Sequence, residues 1–237
     1  MSALSVQKLT AGYSNQPVLH DVSFEVDAQN VFALIGPNGH GKTTLLRCLS
    51  GLIPNHSGHI EFDGRPIDRL RAHQRVELGL IHVPQGDQLF GEMSIEENLL
   101  MGAYLRGDAA AAARSLEEVY EFFPRLGERR HQMANSLSGG ERRMAGIGRG
   151  LMADGRFMMM DEPSLGLAPL LIEQIYDALK SLRASGRTFL IIEENPVRIA
   201  EIADRIALMD GGRIVWSGPP GELQSEDQLI QTYFGAH

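Results

Sequence analysis

Residues 31–49 read VFALIGPNGHGKTTLLRCL, and the texture changes twice along that line. VFALI is a continuous apolar run, the pattern of a strand buried on both faces. GPNGHGKT, Gly36 to Thr43, fits G-x-x-x-x-G-K-[ST] without a mismatch, and TTLLRCL has helical spacing. Strand, glycine-rich turn and helix in that order open an α/β nucleotide-binding unit. The glycines let backbone N–H groups turn inward around phosphate oxygens, where side chains would block the approach. Lys42 supplies a positive charge for the β and γ phosphates, the Thr43 hydroxyl suits Mg²⁺, and the helix adds its positive end to the same place. Gly36, Pro37, Asn38, Gly39, His40, Gly41, Lys42, Thr43 and Thr44 are therefore the candidate phosphate-binding residues. A chance glycine turn is the bland alternative, and the flanking strand and helix count against it.

Outward from this stretch, LSVQKL and VSFEV before it alternate as short strands, and GHIEFDG at 58–64 reads as a hairpin strand with a turn. From about Gly86 the strand signal fades, and IEENLLMGAYL and AAAARSLEEVYEFF are helical. This predicts a helical insert over 86–150 within an α/β core of 1–85 and 151–237. The poly-alanine stretch Ala109–Ala113 reads as solvated helix. Strands return at RFMMMDEP, TFLIIEEN and RIALMDGGRIVWSG, with a helix between the first two that ends at Gly186 in the manner of a C-cap. Alternating strands and helices imply a mostly parallel sheet.

Two further phrases carry chemistry. In MMMDEP, a buried strand ends at Asp161, at the edge where open α/β sheets bind ligands. Asp161 would hold Mg²⁺, and Glu162 is placed to polarise an attacking water. A helix cap or hydrogen-bond network is the alternative reading of the same letters. In LSGGE, Leu137 to Glu141, Ser138 and Glu141 form the S-x-x-E pattern of a capping box. A Ser-Gly-Gly turn opening a helix is also a phosphate site. Two phosphate sites with one set of catalytic residues suggest two chains that trade parts.

GPNGHGKT, Gln85 in HVPQG, LSGGE, MMMDEP and SLGLA, in that order, resemble the nucleotide-binding subunits of ABC transporters over essentially the whole chain. The resemblance implies a P-loop NTPase core with an N-terminal antiparallel β subdomain and the helical insert. It implies a head-to-tail dimer, homo- or heteromeric, with ATP and Mg²⁺ at the interface. Each site would take Lys42, Thr43 and Asp161 from one chain, and Ser138, Gly139 and Gly140 from the other. Catalytic roles fall on Glu162, Gln85, Lys42 and the residue at position 194, with Gln85 sensing the metal and reporting to the transporter core. Tyr13, which by its own context is equally a core or turn residue, falls where the family stacks an aromatic ring on adenine. VPQGDQLFGEMSIEENLLMG, LSGGERRMAGIGRGLM and DEPSLGLAP resemble the ATPases of branched-chain amino-acid importers, with urea and short-amide importers sharing these phrases. That branch implies permease subunits in the membrane, a solute-binding protein beyond them, and a cytoplasmic position on the inner face of the membrane. The end of the chain, QTYFGAH, fits such subunits and leaves no room for an added regulatory domain.

The chain departs from the pattern at three places. Glu193-Glu194-Asn195 puts Glu194 where most of the family has histidine and this branch often has glutamine. An ionised carboxylate offers a phosphate oxygen no donor, and two negative charges ~4 Å apart repel by about 4 kcal/mol at an effective dielectric near 20. Glu194 either turns away, slows hydrolysis, or is protonated; the expectation is a weakened site that relies on a partner subunit for its stronger half. His40 reads as a solvent-facing loop side chain. Arg142 and Arg143 read as a solvated helix face in preference to a phosphate clamp.

Composition narrows the classes. The 237 residues suit one large domain or a main domain with an insert, and 43% hydrophobic with 22% charged is an ordinary globular balance. No stretch approaches ~18 consecutive apolar residues, and MSALSVQKLT lacks a secretory pattern, so a membrane role requires docking onto an inserted partner. The net charge of −8 argues against a nucleic-acid coat. Cys48 stands alone, fits a reducing compartment, and reads as a packing residue; His56 and His59 lack metal-ligand spacing. The rival readings are an exporter-type ABC ATPase and a nucleotide-gripping, poorly hydrolysing half of a heterodimer.

Overall fold

The computed structural model describes residues 2–14, 16–86 and 88–225; the phrase QTYFGAH lies outside the described residues. In chain order the elements are β1 (Ser2–Tyr13), β2 (Gln16–Asp27), β3 (Val31–Ile35), α1 (Lys42–Leu49), β4 (Asn55–Phe62), β5 (Arg65–Pro66), α2 (Ala72–Glu77) and β6 (Leu80–Val83). Then come α3 (Ile95–Gly102), α4 (Ala109–Phe122), α5 (Pro124–Glu128), a 3₁₀ turn at Ala134–Ser136, and α6 (Gly139–Met152). The chain returns through β7 (Phe157–Asp161), α7 (Pro169–Ala184), β8 (Thr188–Ile192), α8 (Pro196–Ala200), β9 (Arg205–Asp210), β10 (Arg213–Gly218) and α9 (Pro220–Ser225).

Among the described residues the strands form two sheets. One is antiparallel, in the order β2-β1-β4-β5; the other runs β10-β9-β3-β8-β7-β6, parallel except for β10. The unbroken apolar runs of β3, β7 and β8 are explained by burial on both faces of that second sheet. Phe32 and Leu34, with Phe157 and Met159, face the core shared with the antiparallel sheet and α1. Ala33 and Ile35, with Met158 and Met160, face the core under α6 and α7. Each of these side chains larger than alanine contributes about 1.5–3 kcal/mol by leaving water. Cys48 is fully buried in the first core, and burial pushes its thiol up to about 11, so it packs as a small hydrophobe. β6, only four residues long, has too little length to stand out by periodicity.

The helices α3 to α6 lie between β6 and β7 in the chain, and α6 packs on α3. α7 stops where the sequence indicates: Ser185 caps it and Gly186 follows at φ +93, a left-handed conformation that glycine tolerates. The order β3-β8-β7 places three strand ends side by side. The loop after β3, Asp161 after β7 and the Glu193-Glu194 pair after β8 thereby share one edge.

Candidate nucleotide site

The phosphate loop is shaped by close approach. A Cβ on Gly36 would stand 2.1 Å from the Met209 carbonyl oxygen, so the loop leaves β3 hard against β9. Gly41, at φ +101, is the N-cap of α1, which has no side-chain cap and no acidic residue in its first turn. The first N–H groups of α1 are thus left for an external acceptor. Lys42, 4% exposed, points its Nζ back into the loop, donating to Gly36 O at 2.7 Å, Pro37 O at 3.0 Å and Asn38 Oδ1 at 3.4 Å. Burial lowers its pKa, while Glu162, Glu194 and Asp161 hold the charge on. His40 is half-buried, in place of the solvent-facing position expected for it. Its Nδ1 lies 2.7 Å from Asp210 Oδ1 and 3.1 Å from Gly211 N, and its carbonyl accepts from Gly212 N.

Asp161 closes β7 with both carboxylate oxygens buried and neither holding a hydrogen-bond partner among the described residues. Burial pushes its pKa up, against the pull of the nearby Thr43 hydroxyl, whose contact falls short of hydrogen-bond geometry, and of the Lys42 charge. Two buried oxygens without donors are costly, and with the Thr43 hydroxyl and the Gln85 amide they compose a donor set that fits a hard divalent cation. Glu162 follows at φ +49, a left-handed backbone that carries strain in a residue with a side chain. Its N–H donates to Ile192 O at 3.0 Å, and its Oε2 accepts from Gln85 Nε2 at 2.6 Å. Burial, then the charges of Glu194 and Asp161, push the Glu162 carboxyl upward.

Glu194 does not turn away. Its Oε1 accepts from Asn38 Nδ2 at 2.5 Å, so it is tied to the phosphate loop and its charge is felt by both Lys42 and Glu162. Sequence reasoning passed over its neighbour Glu193, which is 2% exposed. Glu193 takes Ser164 N at 3.1 Å and Ser164 Oγ at 2.9 Å, fastening the SLGLA turn to the end of β8. A carboxylate directly after a fully apolar strand was the available signal.

Tyr13 ends β1 with its ring 44% exposed and its hydroxyl accepting from Arg47 on α1, so it is not a core residue. Ser138 is the N-cap of α6 in a complete capping box. Its Oγ accepts from Glu141 N at 3.3 Å, while Ser138 N and Oγ both donate to Glu141 Oε2. Ser138 and Gly139 are exposed, and Gly140 fits against Leu171 of α7 so closely that a Cβ would stand 2.2 Å from it. No hydrogen bond among the described residues joins this turn to the phosphate loop. Arg143 overturns the solvated-face reading. It is 6% exposed, and its guanidinium donates to Glu162 O at 2.9 Å and Gly86 O at 3.2 Å, with Pro84 O at 3.5 Å. α6 is buried nearly all round, so a helix face expected to meet water meets the sheet edge instead. Beside Gln85 a groove of about 970 Å³ runs between the sheet and the helical segment, lined by Arg47, His82, Phe90 and Arg149 among others.

The family model described as ABC transporter matches residues 19–165. The chain is 38% identical over 232 residues to the high-affinity branched-chain amino acid transport ATP-binding protein BraG of Pseudomonas aeruginosa, covering 98% of this chain and 99% of that one. It is 34% identical to the probable branched-chain amino acid transport ATP-binding protein LivF of Archaeoglobus fulgidus, covering 98% of each. To the lipopolysaccharide export system ATP-binding protein LptB of Haemophilus influenzae it is 32% identical, over 99% of this chain and 98% of that one. Among solved structures it resembles an ATP-binding cassette of an ABC transporter in its ADP conformation, with a TM-score of 0.87 and 28% identity over 99% of each chain. The intact phosphate loop, the paired acids at the end of β7 and these likenesses lead to one conclusion: the chain belongs to the ABC transporter family, as an ATP-hydrolysing subunit most like those of branched-chain importers.

Proposed function

We propose that this chain drives import of branched-chain amino acids, or of a related small amide or urea, from the inner face of the cytoplasmic membrane. Its partners in this reading are permease subunits, a second ATPase subunit facing it head to tail, and, indirectly, a solute-binding protein. The observation that carries the hydrolytic part is the Gln85–Glu162–Asp161 cluster on the sheet edge beside Lys42. Lys42 and the N–H groups of α1 bind the phosphates, Tyr13 stacks on the adenine, and Glu162 orients the attacking water. Thr43, Asp161 and Gln85 would hold Mg²⁺, which supplies charge neutralisation of the phosphates when bound. Ser138, Gly139 and Gly140 serve the opposing chain's site, and residues 86–150 act as the helical unit that carries them.

Two observations favour other readings. Likeness to the lipopolysaccharide export ATPases favours an exporter. The Asn38–Glu194 bond favours a chain that grips ATP and turns it over slowly. ATP turnover of the chain reconstituted with its own membrane subunits, against Glu162→Gln, separates the last of these. Turnover well above that variant supports the working subunit, and turnover no higher overturns it. Uptake of labelled leucine, isoleucine and urea by the same vesicles decides the solute, and uptake of none of them overturns the importer assignment.

A further inference from the structure

Arg143 binds the site from behind. Its guanidinium reaches the carbonyls on either side of Gln85, those of Pro84 and Gly86, and the carbonyl of Glu162 itself. Those two residues then meet through Gln85 Nε2 and Glu162 Oε2. Glu162 sits in a left-handed conformation that a side chain does not favour, held by Ile192 O on its N–H and by Arg143 on its carbonyl. An arginine suits the task because its planar fork fixes the directions of several donors at once, which a lysine cannot do.

We propose that Arg143 is a positioning residue for ATP hydrolysis, a clamp rooted in α6 that holds the backbone of Gln85 and Glu162 in register so that their side chains meet. The inference rests on the roles given above to Glu162 and Gln85. Because α6 opens at Ser138, the clamp links the turn that serves the opposing site to the water-orienting acid of its own chain. A shift of α6 is then transmitted to Gln85 and Glu162 together.

The test uses the complex with its own membrane subunits and the variants Arg143→Met, Arg143→Lys, Gln85→Ala and Arg143→Met with Gln85→Ala. Arg143→Met should lower kcat roughly 10- to 100-fold, the scale of a small misplacement at a reacting centre, with the Kd for ATP changed less than about threefold. Arg143→Lys should recover part of the rate. The double variant should be no slower than the worse single one, because both changes break one unit. Losses that multiply, a Kd that rises in step with the fall in kcat, or an unchanged kcat would each overturn the clamp. If Arg143→Met does not fold, Arg143→Lys combined with Gln85→Ala carries the same comparison. Wild-type turnover by Glu162→Gln would instead sink the role of Glu162, while the Arg143–Gln85 comparison still decides the clamp.

Discussion

Two helices in this protein open on glycine-rich turns, and their first turns are built on opposite plans. At α1 the N-cap is Gly41, with no capping side chain and no acidic residue in the first turn, and Lys42 adds a positive charge. At α6 the N-cap is Ser138, closed by a capping box whose Glu141 also meets Arg129 at 2.9 Å. The α1 terminus is left open for anionic phosphate oxygens. The α6 terminus has met needs of its own through the capping box, with Gly139 exposed at its start. An N-terminus that binds alone must leave its donors open, whereas one that completes a neighbour's site can be folded in advance. The same letters, glycine beside a helix, thus follow two capping plans, one suited to a primary site and the other to the complementing role proposed above.

The largest effect that would break this contrast is at Lys42. Lys42→Ala should cost turnover roughly 10²–10³-fold and weaken ATP binding by the isolated chain. Ser138→Ala should leave that binding unchanged, and equal losses of affinity from the two variants would mean the termini do not differ. Next is Glu194, which loads the α1 side with negative charge. Glu194→Gln should raise turnover of the assembled complex several-fold, up to about tenfold, by relieving repulsion near Glu162 and the phosphates; an unchanged rate would make Glu194 a tolerated variation.

Smaller effects sharpen the α6 side. Ser138→Ala should cost about 1 kcal/mol of stability through the lost cap, read as a fall in Tm of roughly 2–4 °C. The smallest concerns Glu141. Burial alone would raise its pKa, but the Ser138 backbone N–H and hydroxyl, with Arg129 and Arg125, outweigh burial and lower it below its ordinary value of 4.5. A depressed carboxyl stabilises the fold above its unfolded pKa, and the benefit is lost as pH falls through the folded one. Urea unfolding between pH 6 and 3 should therefore steepen below about pH 4.5 in the native chain. Glu141→Gln should flatten that limb, and parallel curves would show the box adds nothing.

The α1 side was legible because its chemistry is local: GPNGHGKT and MMMDEP each hold their functional groups within a few residues, next to strands whose apolar runs announce burial. The capping box was legible for the same reason, since Ser138 and Glu141 are one helical turn apart. Arg143 was not. Its partners at Pro84, Gly86 and Glu162 are distant in the chain, and a charged pair on a helix reads as solvated until the helix proves to be buried on nearly every side. Glu194 lay between: its position and charge were readable, but its bond to Asn38 depends on β8 lying between β3 and β7, which no local pattern states.

The bracing of the phosphate loop also bears on how the protein is made. β3 is made well before its neighbours in the sheet, β8 and β9, and the loop after it leans on Met209, Asp210 and Gly212. A nascent chain carrying GPNGHGKT but not yet residue 212 lacks the wall on which the loop rests. Nucleotide capture is therefore expected to wait until the residues through Gly212 have been made, and a chain cut short of them should fail to bind ATP despite carrying the complete motif.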